Sequence, residues 1–194
     1  MIGVAPAQTQ AHLGAFFGPS SSYLRYGSNG SSHYHRAAFT AGLTERWRRL
    51  PFGSVAVNLN FVQKGLTQSD EIVHLNYLEV PLLFIGELTQ SKARVQPYIA
   101  VGPTIAVRTS CYRYLLTVAG AHEDGCERSQ AGSLELIKLR SWDGGMDYRL
   151  GMRLRLGKGA ALVEVRRTVG IVDIEPSQDT RNRFKSLVLG YEWR

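Results

Sequence analysis

What most constrains this chain is a two-residue alternation of apolar and polar side chains that returns in eight blocks. Nowhere does a comparable helical period replace it. The clearest block runs from Ser54 to Phe61, where Val55, Val57, Leu59 and Phe61 alternate with Ser54, Ala56, Asn58 and Asn60. Similar blocks occupy His12–Phe17, Ala37–Trp47, Ile72–Leu88, Val95–Arg108, Leu136–Leu156, Ala160–Arg167 and Phe184–Trp193. Successive side chains of a strand point to opposite faces, so each block predicts one strand with an apolar and a polar side.

The connections carry a second pattern. Arg48–Pro51, Thr89–Arg94 and Gly157–Gly159 are short, whereas Gly18–Arg36, Gln63–Glu71, Thr109–Glu135 and Thr168–Arg183 are long. Short and long links alternate along the chain. An up-and-down barrel produces that alternation when all short turns lie at one end and all long loops at the other. The fold expected is therefore all-β: an eight-stranded antiparallel up-and-down transmembrane β-barrel over residues 11–194. An even strand number puts both termini at the short-turn, periplasmic end.

Alternation alone fits a soluble, lipocalin-like ligand-binding barrel equally well, with an apolar lumen and a wet exterior. The make-up of the polar face separates the two. It carries Glu79, Asp147, Arg149, Arg153, Arg155, Glu164, Arg166 and Glu192, together with Gly42, Gly102, Gly145, Gly151 and Gly190. Glycine weakens a solvent-facing strand, but inside a narrow barrel it makes room for long side chains. Acids and bases that nearly balance suit a closed interior, where an unpaired charge is very costly. These eight charged residues are thus expected to form an interior network, with the aliphatic and aromatic face turned to lipid. No apolar run approaches the ~18–20 residues of a membrane-spanning helix, which is compatible with crossing by strands. Trp47 and Trp193 near one end, and Trp142 near the other, suit interfacial girdles.

The net charge of +7 invites acidic partners. The cations form neither a run nor a helical stripe, so nucleic acid is not expected. Arg166, Arg167, Arg181, Arg183 and Lys185 gather near a rim and are candidates for lipid phosphates, the alternative being solvated loop ends. Ala5-Pro6-Ala7 has the small-x-small form of a signal-peptidase site, so residues 1–10 read as the remnant of a signal peptide and its cleavage region. Cys111 and Cys126 share one turn-rich, charged segment. In an oxidising compartment they would close a loop worth roughly 3 kcal/mol, the alternative being two free thiols.

Four segments bear a family resemblance. Asn76-Tyr77-Leu78-Glu79-Val80-Pro81-Leu82-Leu83 resembles the YLEIPLL strand of the Bacteroidetes-type outer-membrane β-barrel family that includes PorT-like proteins. Gln96 to Pro103 is similar to that family's PYLxAGP strand, Trp142-Asp143-Gly144-Gly145 to its xDxG strand start, and Leu187 to Trp193 to its LxLGYxF closing strand. Arg194 departs from the aromatic last residue usual in such proteins. The resemblance implies an OmpA/OmpX-like barrel in a Gram-negative outer membrane and no single activity.

No catalytic motif emerges. Gly157-Lys158-Gly159 lacks the remainder of a phosphate loop, no Gly-x-Ser-x-Gly elbow occurs, and neither His12 nor His74 has a serine two residues away. His33-Tyr34-His35 lacks a third metal ligand and reads as exposed loop. The expectation is a monomeric, non-enzymatic barrel without cofactor. It would be embedded in outer-membrane lipid and present long loops to an extracellular or envelope protein, for binding, adhesion or envelope integrity. Small-solute transport or an accessory role in protein secretion is the alternative.

Overall fold

A computed structural model describes residues 10–26, 36–50, 53–68, 71–89, 93–117, 120–125, 140–173 and 180–193. The expected signal remnant (up to residue 9), the His33-Tyr34-His35 segment, Cys126 and most of the outer loops lie outside the described residues.

The strands are β1 (Gln10–Tyr26), β2 (Arg36–Leu50), β3 (Gly53–Gln68), β4 (Glu71–Glu87), β5 (Val95–Thr117), β6 (Gly120–Gly125), β7 (Trp142–Leu156), β8 (Gly159–Gly170) and β9 (Thr180–Trp193). All neighbours are antiparallel, and β1 pairs with both β2 and β9. The ring therefore closes as β1-β2-β3-β4-β5-β7-β8-β9. It is an eight-stranded antiparallel barrel, with β6 hairpinned onto the far end of β5.

Its two faces are inverted relative to a soluble protein. Phe17, Ile105 and Leu150 are 67%, 65% and 59% exposed, whereas Arg153 and Glu79 are 2% and 3% exposed. An outer wall of this composition is unfavourable in water and suited to hydrocarbon, and closure leaves no sheet edge to be satisfied there. A one-residue slip would exchange the two faces on every strand, so the wall and the interior specify one register together. Trp47, Tyr191 and Trp193 cluster near the short-turn end, where the Tyr191 and Trp193 rings meet edge-on at 5.5 Å. Trp142 opens β7 at the opposite end, with Arg140 6.0 Å from its ring.

The strands outrun the sequence blocks. Gln63–Glu71, expected as a long loop, is strand on both sides of a two-residue link. Likewise β5 continues to Thr117 and adds β6 where only loop was expected; in the sixth block the described strand is Trp142–Leu156, and residues 136–139 lie outside the described residues. The physical reason is shared. Strand ends that leave the apolar layer no longer need an apolar face, so the alternation that reveals a strand fades before the hydrogen-bonded ladder stops. Gly65, at φ 136°, bends β3 within this polar extension; there a Cβ would strike the Val73 carbonyl.

Candidate functional site: a charged barrel interior

The interior is built by one phase of each strand. On β3 the inward residues are Ser54, Ala56, Asn58, Asn60, Val62 and Lys64; on β7 they run Asp143, Asp147, Arg149 and Arg153. Six cations (Arg36, Arg46, Lys64, Arg149, Arg153, Arg166) and six carboxylates (Glu79, Glu87, Asp143, Asp147, Glu164, Glu192) are buried among the described residues. That equality satisfies the electrostatic demand of a closed lumen.

Three tiers stack along the barrel. At the short-turn end, Arg46 donates to Glu192 at 2.8 Å and lies 3.5 Å from Glu87. Arg153 donates to Glu192 at 3.2 Å and places its guanidinium 3.9 Å from the Tyr98 ring centroid. In the middle, Glu164 accepts from the Tyr98 hydroxyl and from Arg166 Nε, each at 2.5 Å, with Arg149 at 3.5 Å. Arg149 also donates to Asp147 at 2.8 Å, and the Asn58 side-chain amide lies between Arg149 and Thr44, 2.9 Å from Thr44 Oγ1. The Arg166 guanidinium lies 3.6 Å from the Phe16 ring centroid. At the long-loop end, Lys64 Nζ sits 2.6 Å from Glu79 and 3.2 Å from Asp143, and Asn182 donates to Asp143 at 2.7 Å. Above it Arg36 donates to the Lys64 carbonyl at 2.5 Å and contacts His74 Nδ1 at 2.7 Å.

Each tier reaches across the lumen between strands that are not neighbours, so the interior is cross-braced. A void lined by Phe16, Asn58, Arg149 and Glu164 holds only about 10 Å³, room for about one water. Small residues make this packing possible. A Cβ on Gly151 would overlap the Tyr98 ring, and one on Gly42 would come within 2.6 Å of the Phe16 ring. Gly151→Val should therefore displace Tyr98 from Arg153 and Glu164 and cost about 1–3 kcal/mol, by analogy with overpacked cores. Urea unfolding in lipid vesicles measures this, and an unchanged midpoint would refute the packing argument.

Seven of the eight charged residues expected inside are fully buried there, and Arg155 stands half-buried at the rim, its backbone N–H bonded to the Arg94 carbonyl at 2.9 Å. Of the five cations considered for lipid phosphates, Arg166 faces inward; Arg167 and Lys185 are exposed, and Arg183 and Arg181 half-exposed, the last paired with Asp173 at 3.0 Å. Cys111 is disulfide-bonded, while Cys126 lies outside the described residues. Sequence reasoning missed Arg36, Arg46, Lys64, Glu87 and Asp143. Four of them were legible by following the inward phase to the ends of the blocks or just past them: Thr44 to Arg46, Val62 to Lys64, Ile85 to Glu87, and Asp147 back to Asp143.

No protein-family model matches the sequence, and no curated protein does. Among solved structures the chain is similar to Neisserial surface protein A (11% identity, 96% of this chain and 99% of that one, TM-score 0.59). It is also similar to OprG of Pseudomonas aeruginosa (12%, 96% and 97%, TM-score 0.52). The third is Ail, the attachment invasion locus protein of Yersinia pestis (11%, 95% and 99%, TM-score 0.50). At these identities the likeness concerns the fold, that of a transmembrane β-barrel.

Proposed function

We propose that this chain is a monomeric, non-enzymatic barrel of a Gram-negative outer membrane, termini in the periplasm, that presents its outer loops for binding, adhesion or envelope integrity. The observation that carries this reading is the cross-braced interior: lipid-compatible outside, charge-neutral and filled inside, it suits a rigid support better than a conduit. Similarity in fold to Ail, the attachment invasion locus protein, is consistent with a loop-borne role. The residue patterns of Asn76 to Leu83 on β4 and of Gln96 to Pro103 on the neighbouring β5 support a place within the Bacteroidetes-type, PorT-like group.

Planar-bilayer recording of the purified protein tests the choice between support and transport. The expected result is no stepwise conductance above the bare bilayer, and steady ion or solute flux would favour transport instead. Recovery in the outer-membrane fraction, with heat-modifiable migration on a detergent gel, is expected. Recovery without detergent would overturn the membrane reading.

A further inference from the structure

Two adjacent outward-facing ladders run obliquely across the wall. One is Val55, Phe84, Val101, Tyr148 and Arg167; the other is Gly53, Gly86, Ile99, Leu150 and Val165. Between them lies a furrow of about 900 Å³, apolar along almost all its length. It opens because the second ladder begins with two glycines, which leave the floor without side chains. A Cβ on Gly86 would meet nothing closer than Ile99 Cγ1 at 3.6 Å.

The furrow has a direction. It starts at Gly53, the first residue of β3 at the short-turn end. It finishes at Arg167, three residues before β8 ends at Gly170 on the long-loop side. Four interstrand steps of about 4.8 Å make it about 19 Å long. With strands tilted ~35–45°, a ladder perpendicular to them rises about 11–13 Å along the membrane normal, most of the roughly 15 Å filled by the chains of one leaflet.

At the long-loop end the furrow meets charge. Arg167 pairs directly with Lys185 across β8 and β9; both are exposed, and neither has a carboxylate partner among the described residues. Like charges placed directly opposite each other destabilise a sheet, an arrangement that an anion bound between them would reverse. Tyr148, the neighbour of Arg167 on β7, adds an aromatic with a polar tip at the same level.

From the furrow and its cationic head we infer a built site for one phosphate-headed membrane lipid: an acyl chain lies between the two ladders, and the phosphate sits on Arg167 and Lys185. The site deepens the membrane reading proposed above and rests on it. Heat-modifiable migration reports that reading separately, because it detects the folded barrel whether or not a particular lipid is held.

The test is native mass spectrometry of the folded barrel in detergent, titrated with phosphatidic acid, with diacylglycerol of the same chains, and with inorganic phosphate. Phosphatidic acid should bind at least about tenfold tighter than diacylglycerol, a difference of about 1.4 kcal/mol. The double variant Arg167→Gln/Lys185→Gln should abolish that preference without changing diacylglycerol binding. Gly86→Phe should weaken both lipids by filling the floor, and Ile99→Trp serves the same purpose if Gly86→Phe does not fold. Leu43→Trp, outward-facing on β2 away from the furrow, should change neither. The site is refuted if phosphatidic acid binds no better than diacylglycerol, or if the double variant keeps the preference. Equal weakening by Leu43→Trp and Gly86→Phe, or full displacement of the lipid by inorganic phosphate, would refute it as well.

Discussion

Glu164→Ala is expected to lower the unfolding free energy by about 3–5 kcal/mol, the range for removing one partner of a buried charge network. Glu164 accepts from Tyr98 and Arg166 and lies 3.5 Å from Arg149. Without it two guanidiniums and a phenol lose their shared acceptor in a space that admits about one water. Asp147 still faces Arg149 and attracts Arg166, whose guanidinium also keeps its contact with the Phe16 ring, but neither replaces the direct bond to Glu164. Glu164→Gln retains an acceptor for Tyr98 while deleting the charge, so it should lose a smaller share. Urea titration of the protein folded into vesicles, read by tryptophan fluorescence and by gel migration, measures both variants. A loss under about 1 kcal/mol for the alanine variant would mean that water replaces the carboxylate readily, contrary to a filled lumen.

The second large effect belongs to the opposite face. Leu150 lies midway along β7, 59% exposed on the outer wall. Leu150→Arg should cost about 2–4 kcal/mol in a bilayer, as cations at the midplane of barrel walls do. The same substitution at outward-facing Leu156, the last residue of β7, should cost about 0–1 kcal/mol, because the charge reaches the interface there. This depth dependence requires hydrocarbon outside the barrel. Equal, negligible costs at both positions would mean a water-facing wall, returning the soluble ligand-binding barrel to favour.

Much of the interior could be seen in the sequence because the two-residue period assigns faces without reference to partners. Glu79, Asp147, Arg149, Arg153, Glu164, Arg166 and Glu192 all stand on the side the alternation gives them. Lys64 and Asp143 were overlooked for a local reason. Lys64 stands past the Ser54–Phe61 block among Gln63, Gly65 and Thr67, and Asp143 stands just before Gly144 and Gly145, so the period is lost although the backbone ladder continues. Arg46 and Glu87 fall inside their blocks, each one residue before the end, where the polar face was not followed to its last member. The small residues were recognised as space-makers in general, but that Gly151 accommodates Tyr98 depends on a contact between β5 and β7 in three dimensions.

The barrel with which the alternation began was therefore determined by sequence: its strands, its inward and outward faces, and the near balance of charge within. A period of two is a local property of the chain, and it survives without tertiary information. Tertiary structure alone decided which charge meets which. Arg46 and Glu192 stand 146 residues apart yet donate and accept at 2.8 Å because barrel closure brings β2 and β9 to one end of the lumen. It also decided that two glycines on β3 and β4 and two cations on β8 and β9 belong to one oblique furrow. Register and strand tilt create that alignment, and neither is a local property of any single strand.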